Sequence, residues 1–215
     1  MISSRQRDNR GTKTGLMRFL TLNTITRSHI YLTLSLISII CILAQFSPLA
    51  DMLVWDKQAI TQGQWWRIVT GNFTHTNTTH LAMNLIALWL ITLIFRPSVR
   101  ALWQQLLLLS LLIGIGLFWS DLDFYVGLSG TLHGLFASFA LSEALQGRKS
   151  SWLLVVGVCG KVIWEQCFGA SEATQALIEA PVAIQAHLLG LAGGLLFGFS
   201  TRIKAYLGSV GLFKI

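Results

Sequence analysis

Six long apolar runs constrain the fold of this chain more than any other feature. A helix needs roughly 20 mostly apolar residues to cross the hydrocarbon core of a bilayer, and each run approaches that length. The runs span about residues 30–47, 78–95, 101–119, 129–144, 152–168 and 182–199. Hydrophobic residues make up 53% of the 215 residues and charged residues 12%, roughly half the charged fraction of a soluble domain. The sequence therefore predicts an all-α, polytopic membrane protein with six transmembrane helices.

The basic residues predict how the helices are oriented, because Lys and Arg are retained on the cytoplasmic side of a membrane. With the N-terminus inside, thirteen of the 16 Lys and Arg residues fall on the inner side. We expect a basic cytoplasmic tail (1–28), a six-helix domain (29–201) and a short cytoplasmic tail (202–215) in a bacterial inner membrane. A nucleic-acid-binding surface could also explain the net charge of +7, but no soluble module carries that charge. We expect the lipid bilayer, and no nucleic acid, as a partner.

Polar side chains lie near the predicted outer ends of the second, fourth and sixth runs. The second run carries His80 and Asn84, the fourth carries Ser129 and His133, and the sixth carries His187. Polar and ionisable groups inside a membrane are costly, so each is a functional candidate. Because these three runs are parallel in the predicted topology, their polar groups lie at similar depth and can form one site near the outer face of the membrane.

Ser129 is a candidate nucleophile at a predicted helix start. It lies in Gly127-Leu128-Ser129-Gly130, where glycines let the backbone approach a substrate closely. The free N–H groups and positive dipole end of a first helical turn can stabilise an oxyanion. The structural alternative is a serine that caps a tight helix start.

His187 is the candidate base, because a serine hydroxyl is a weak nucleophile until a base takes its proton. Small residues at four-residue spacing let membrane helices pack closely. Such faces occur on the fourth helix at Gly130 and Gly134, and on the sixth at Gly190 and Gly194. The structural alternative for His187 is a buried histidine bonded to a backbone carbonyl.

Three further side chains are candidates for binding the substrate or the oxyanion. His80 and Asn84 are four residues apart, so they share a helix face and can donate hydrogen bonds in an oxyanion hole. A polar contact between helices is the alternative for this pair. His133 lies one turn below Ser129, and we interpret it as lining the site without transferring protons. A buried contact to the second or sixth helix is the alternative for His133.

Together these motifs resemble those of the rhomboid intramembrane serine proteases. Family members carry G-x-S-G on the fourth helix, H-x-x-G-x-x-x-G on the sixth and H-x-x-x-N on the second, which match residues 127–130, 187–194 and 80–84. His75 upstream and the Trp66-Arg67 pair match further family features. The resemblance covers about residues 60–198 and implies a six-helix rhomboid-like bundle with a Ser129–His187 dyad. No intramembrane aspartate is placed to be a third member, which fits that dyad.

A narrower resemblance is to the rhombosortases, compact six-helix rhomboids of Gram-negative bacteria. It rests on residues 127–134, which match G-x-S-G-x-x-H-G, and on residues 161–165. The resemblance implies substrates with a C-terminal GlyGly-CTERM tail, in which a Gly-Gly pair precedes an apolar helix and basic residues. Cleavage of that tail frees exported proteins. The roles of Lys161 and Glu165 stay open, and a housekeeping rhomboid protease with other transmembrane substrates is the alternative.

Other function classes are compatible with parts of the sequence. A transporter could have six helices and buried histidines, but the internal repeats common in transporters are not evident. A metal-dependent hydrolase could use four histidines, although no H-E-x-x-H motif occurs; they are His75, His80, His133 and His187. A rhomboid relative without protease activity would not need both Ser129 and His187. We expect no cofactor and no metal.

Overall fold

The computed structural model describes residues 29–209, in which ten α-helices and one pair of short strands occur. In chain order the elements are α1 (His29–Leu43), α2 (Leu49–Leu53), β1 (Trp55–Asp56), α3 (Lys57–Thr61), α4 (Arg67–Thr70), α5 (Thr78–Phe95), α6 (Val99–Gly116), β2 (Phe124–Tyr125), α7 (Ser129–Leu145), α8 (Ser151–Phe168), α9 (Glu172–Ile178) and α10 (Ile184–Ser209). Single 3-10 turns occupy Gly71–Phe73 and Leu117–Trp119. The predicted tail 1–28 and residues 210–215 lie outside the described residues.

Each predicted apolar run lies mainly within one of the long helices. Pro48, Pro97 and Pro181 lie outside these helices, as expected for a residue that lacks the backbone N–H. Within the described residues 29–209, three helical segments are long and apolar enough to cross a membrane: Thr78–Phe95, Val99–Trp119 and Ser151–Phe168. These three support a polytopic membrane protein, while six transmembrane helices stay a prediction.

Within residues 29–200, helix α7 is the most enclosed of the long helices, with eleven of its 17 residues buried. Helices α5, α6, α8 and α10 pack around it. On the outer helices, large apolar side chains point away from the protein, among them Leu32, Ile86 and Leu153. A helix covered by its neighbours can carry polar side chains that contact protein rather than lipid.

The packing of α7 against α10 depends on glycine. A Cβ atom added at Gly130 would lie 2.8 Å from the carbonyl oxygen of Ala186, and one at Gly134 would lie 2.7 Å from that of Gly190. At Gly190 and Gly194, added Cβ atoms would overlap the backbone of α7. The two backbones therefore touch along several turns, as small-residue faces allow.

The segment between α1 and α5 is a folded structure with its own buried anchors. Trp55 is fully buried and its indole N–H donates to the carbonyl oxygen of Gly114 at 2.9 Å. The buried Arg67 guanidinium donates to the carbonyl oxygens of Asp51 and Val54 at 2.9 and 2.8 Å. Strand β1 pairs antiparallel with β2, with Trp55 opposite Tyr125. This pairing joins the segment to the turn that precedes α7.

Candidate active site

Ser129 is the first residue of α7 and follows a tight turn. Gly127 in that turn has a φ of +119°, a conformation that side chains disfavour. The Tyr125 hydroxyl donates to the carbonyl oxygen of Gly127 at 2.5 Å. Burial raises the pKa of Tyr125 well above its ordinary value, so the phenol keeps its proton. The strand pair and this hydrogen bond thus hold the turn that positions Ser129.

The hydroxyl oxygen of Ser129 lies 2.8 Å from Nε2 of His187. His187 is buried in the first turn of α10. Helix α7 touches the backbone of Ala186 at Gly130. Gly130 directly follows Ser129, and Ala186 directly precedes His187. The close helix contact therefore places a hydroxyl and an imidazole at hydrogen-bond distance, which is the geometry that general-base activation of a serine requires.

Glu165 on α8 contacts the opposite side of the His187 ring. Its Oε2 lies 2.8 Å from His187 Nδ1, and its Oε1 accepts a hydrogen bond from Lys161 Nζ at 2.6 Å. An ionised carboxylate only accepts hydrogen bonds, so Nδ1 carries the proton and Nε2 is free to accept one from Ser129. The sequence offered no aspartate as a third member, left the role of Glu165 open and did not place Glu165 in the site. The sequence feature that could have placed Glu165 in the site is a carboxylate in the outer half of a predicted membrane helix.

His133 lies against His187 and Ser129. Its ring stacks on the His187 ring with the centroids 4.1 Å apart and the planes at 24°. Its Nδ1 donates to the backbone carbonyl oxygen of Ser129 at 2.7 Å. The structure brings the predicted site-lining side chain into contact with both candidate residues. The alternative for His133 was a buried contact to the second or sixth long helix. Its contact to the sixth long helix, α10, is made to His187 itself.

His80 and Asn84 on α5 face the turn before Ser129. A Cβ atom added at Gly127 would lie 2.8 Å from His80 Nε2 and 3.8 Å from Asn84 Nδ2, so glycine lets α5 approach the turn. Asn84 Nδ2 is buried and has no hydrogen-bond partner within residues 29–200. Unpaired buried donors are costly, and this one is available to a substrate oxygen.

His75 lies in the loop before α5, beside His80, with the two ring centroids 5.0 Å apart. Burial, assisted by the neighbouring His80, lowers the pKa of His75 from 6.5 to about 3. His75 is therefore neutral and supports the position of His80 by packing.

The candidate residues line one cavity of about 720 Å³. The lining includes His80, Asn84, Ser129, Glu165 and His187. A second, apolar cavity of about 370 Å³ lies between α5 and α8 and shares His133 and Lys161 with the first. The site is thus continuous with an apolar surface that an apolar substrate segment can occupy.

One group of potential metal ligands occurs among the described residues: the ligand atoms of His133, Glu165 and His187 lie within 4.8 Å of one another. The two nitrogens of His187 are already engaged by Ser129 and Glu165, and His133 Nδ1 is bonded to a backbone oxygen. His75 and His80, which a metal-dependent hydrolase was also expected to use, lie outside this group. The geometry favours serine chemistry over metal binding.

Comparisons with known proteins agree with this chemistry. The rhomboid domain family matches residues 62–204, which is most of the described chain. A curated relative from Bacillus subtilis (strain 168), named "Putative rhomboid protease YdcA", is 26% identical over 161 residues, covering 69% of this chain and 73% of the relative. The chain therefore belongs to the rhomboid family and is an intramembrane serine protease.

Proposed function

We propose that Ser129 is the nucleophile of this protease and His187 its general base. The observation that carries the proposal is the 2.8 Å distance between Ser129 Oγ and His187 Nε2. As Oγ attacks the scissile carbonyl carbon, Nε2 takes its proton, and the imidazolium then gives that proton to the leaving amine. A water molecule, activated by the same imidazole, hydrolyses the acyl-enzyme and regenerates Ser129.

The negative charge that develops on the carbonyl oxygen needs donors that are in place before the reaction. The backbone N–H groups at the start of α7 supply the positive end of a helix dipole. The unpaired Nδ2 of Asn84 supplies a side-chain donor on the facing helix, and His80 lies beside it. We assign the oxyanion site to these groups, with Gly127 and Gly130 providing the space.

We propose that the substrates are exported proteins with a C-terminal Gly-Gly pair, an apolar helix and a basic tail. The motif around Ser129 supports this assignment, because it resembles that of the rhombosortases. The apolar cavity beside the site supports an apolar segment as part of the substrate. Cleavage next to the apolar helix removes the anchor and releases the exported protein.

We further propose a six-helix topology in the bacterial inner membrane, with both termini cytoplasmic and the site opening to the periplasm. The distribution of Lys and Arg supports it. The loop that contains Arg148 and Lys149 is then cytoplasmic. A reporter enzyme that works only in the cytoplasm should be active when it is fused in this loop. Activity of a reporter that works only in the periplasm, fused at the same position, would overturn the topology.

Co-expression with a designed substrate tests the reaction and the substrate together. The substrate is a periplasmic reporter followed by Gly-Gly, an apolar helix and a basic tail, and its matched control carries Leu-Leu in place of Gly-Gly. We expect release from the Gly-Gly reporter only, and no release with Ser129→Ala. Equal release from both reporters would support a housekeeping rhomboid protease with other transmembrane substrates.

A further inference from the structure

The side chain of Glu165 bridges the proposed base and a cation. One carboxylate oxygen lies 2.8 Å from His187 Nδ1 and the other lies 2.6 Å from Lys161 Nζ. The side chains of Glu165 and His187 are only 12% and 5% exposed. A charge held away from water is costly unless it is paired and hydrogen-bonded. Both oxygens of Glu165 meet that requirement, so the carboxylate can stay ionised beside the imidazole.

From this arrangement we infer that Glu165 is a positioning residue that orients His187 and stabilises its protonated form. The inference rests on the proposed roles of Ser129 and His187. With Nδ1–H donated to Glu165, the imidazole has the tautomer in which Nε2 can accept the Ser129 proton. When Nε2 takes that proton, the imidazolium lies beside a carboxylate that keeps its negative charge. Glu165 itself neither gains nor loses a proton.

Serine proteases with a Ser-His-Asp triad show how much a carboxylate in this position contributes to kcat. Replacing it with its amide keeps the geometry but disturbs the tautomer, and lowers kcat by about 10⁴. In the present site the stacked ring of His133 on α7 also restrains His187. We therefore expect a loss of about 10²–10⁴ in kcat for Glu165→Gln.

Lys161 acts on Glu165 from one helical turn away. Its side chain is 52% exposed, so water screens the ion pair and the pair contributes little by itself. Its role is to keep the second carboxylate oxygen paired and so to fix the rotamer of Glu165. We expect Lys161→Met to lower kcat by about fivefold or less. Lys161→Arg keeps the positive charge and should retain most of the wild-type kcat.

The test compares Glu165→Gln with Glu143→Gln in the full-length protein. Glu143 is a matched control, because it also pairs with a cation, Arg148, at 2.9 Å, but it lies near the C-terminal end of α7. We expect Glu165→Gln to lower kcat with little change in KM, and Glu143→Gln to leave both unchanged. Equal kcat for Glu165→Gln and the wild-type protein would overturn the inference.

Glu165→Ala separates positioning from folding. Formate added to this variant can occupy the space of the lost carboxylate, and we expect it to restore part of the activity. Formate should not restore Ser129→Ala, which lacks the nucleophile. If Glu165→Ala instead loses activity together with thermal stability and formate has no effect, Glu165 serves the fold and the inference is wrong.

A labelling experiment, read together with kcat, distinguishes this inference from the proposed function. Labelling by a serine-reactive phosphonate should occur in the wild-type protein and be absent in Ser129→Ala. Labelling that persists in Ser129→Ala would refute the assignment of the nucleophile. Labelling that depends on Ser129, combined with a normal kcat for Glu165→Gln, would refute only the role of Glu165.

Discussion

Ser129 Oγ and His187 Nε2 lie 2.8 Å apart, although 58 positions separate the two residues in the chain. The contact depends on how closely two helices approach, because Ser129 begins α7 and His187 lies in the first turn of α10. Gly130 sets that approach, since any side chain at this position would meet the backbone at Ala186. The geometry of the pair therefore depends on helix packing as well as on residue type.

The first prediction concerns the proposed dyad. Ser129→Ala and His187→Ala should each abolish cleavage while thermal stability stays near that of the wild-type protein. Residues that act as one unit give strongly non-additive losses, so the double variant should be no worse than either single variant. Measured turnover of all three variants checks this. Near-normal turnover for Ser129→Ala would show that the nucleophile is another residue.

The second prediction concerns Asn84 and His80, the proposed oxyanion donors. Asn84→Ala should lower kcat by about 10²–10³, the usual loss for one donor, because the backbone donors remain. His80→Ala should also reduce kcat without abolishing activity. Thr92→Val is the control on the same helix, since Thr92 is buried and bonds to the Leu88 carbonyl at 2.9 Å. Unchanged kcat for both Asn84→Ala and His80→Ala would make the pair structural.

The third prediction concerns His133, whose ring stacks on that of His187. Loss of this contact should let the ring of His187, the proposed base, move. His133→Ala should therefore lower turnover or change the residue preference beside the cleaved bond, with near-normal thermal stability. His133→Phe keeps an aromatic ring for stacking and should retain more activity than His133→Ala. Full activity with unchanged selectivity in a folded His133→Ala variant would remove this residue from the site.

The fourth prediction concerns the glycine contacts between α7 and α10. A Cβ atom at Gly134 would lie 2.7 Å from the carbonyl oxygen of Gly190, and overpacking of this kind costs about 1–3 kcal/mol. Gly134→Ala should thus lower both thermal stability and activity. Gly160→Ala is the matched control on α8, because nothing lies within 4 Å of its added Cβ. Equal unfolding temperatures for the two variants would contradict close packing at Gly134.

The fifth prediction concerns pH and His75. Its pKa in the folded protein is about 3, below the ordinary 6.5, so the unfolded chain binds the extra proton between those values. Stability therefore rises with pH through this window and falls as the pH drops from about 6.5 toward 3. Thermal unfolding in detergent at pH 7.5 and pH 5 measures how stability depends on pH. His75→Leu should reduce this pH dependence, and an unchanged pH dependence would exclude His75 as its cause.

Local patterns in the sequence determined the helical class and the main site candidates. A long apolar run with proline at its edge predicts a helix whatever its neighbours do, and α5 occupies the predicted residues 78–95. Serine between glycines and histidine before a glycine face are also local signals. Each signal alone left a structural alternative open, and the ordered set of motifs that resembles the rhomboid proteases favoured pairing Ser129 with His187.

Local sequence patterns could not show which side chains face each other, because that depends on how the helices pack. Glu165 could have pointed to solvent, but the packing of α8 beside α7 and α10 directs its carboxylate to His187. The strand pair that holds the turn before Ser129 joins Trp55 to Tyr125, which are far apart in the chain. Helical periodicity describes one helix at a time. The rotation of a helix against its neighbours depends on long-range contacts, so only the folded structure could add Glu165 to the site.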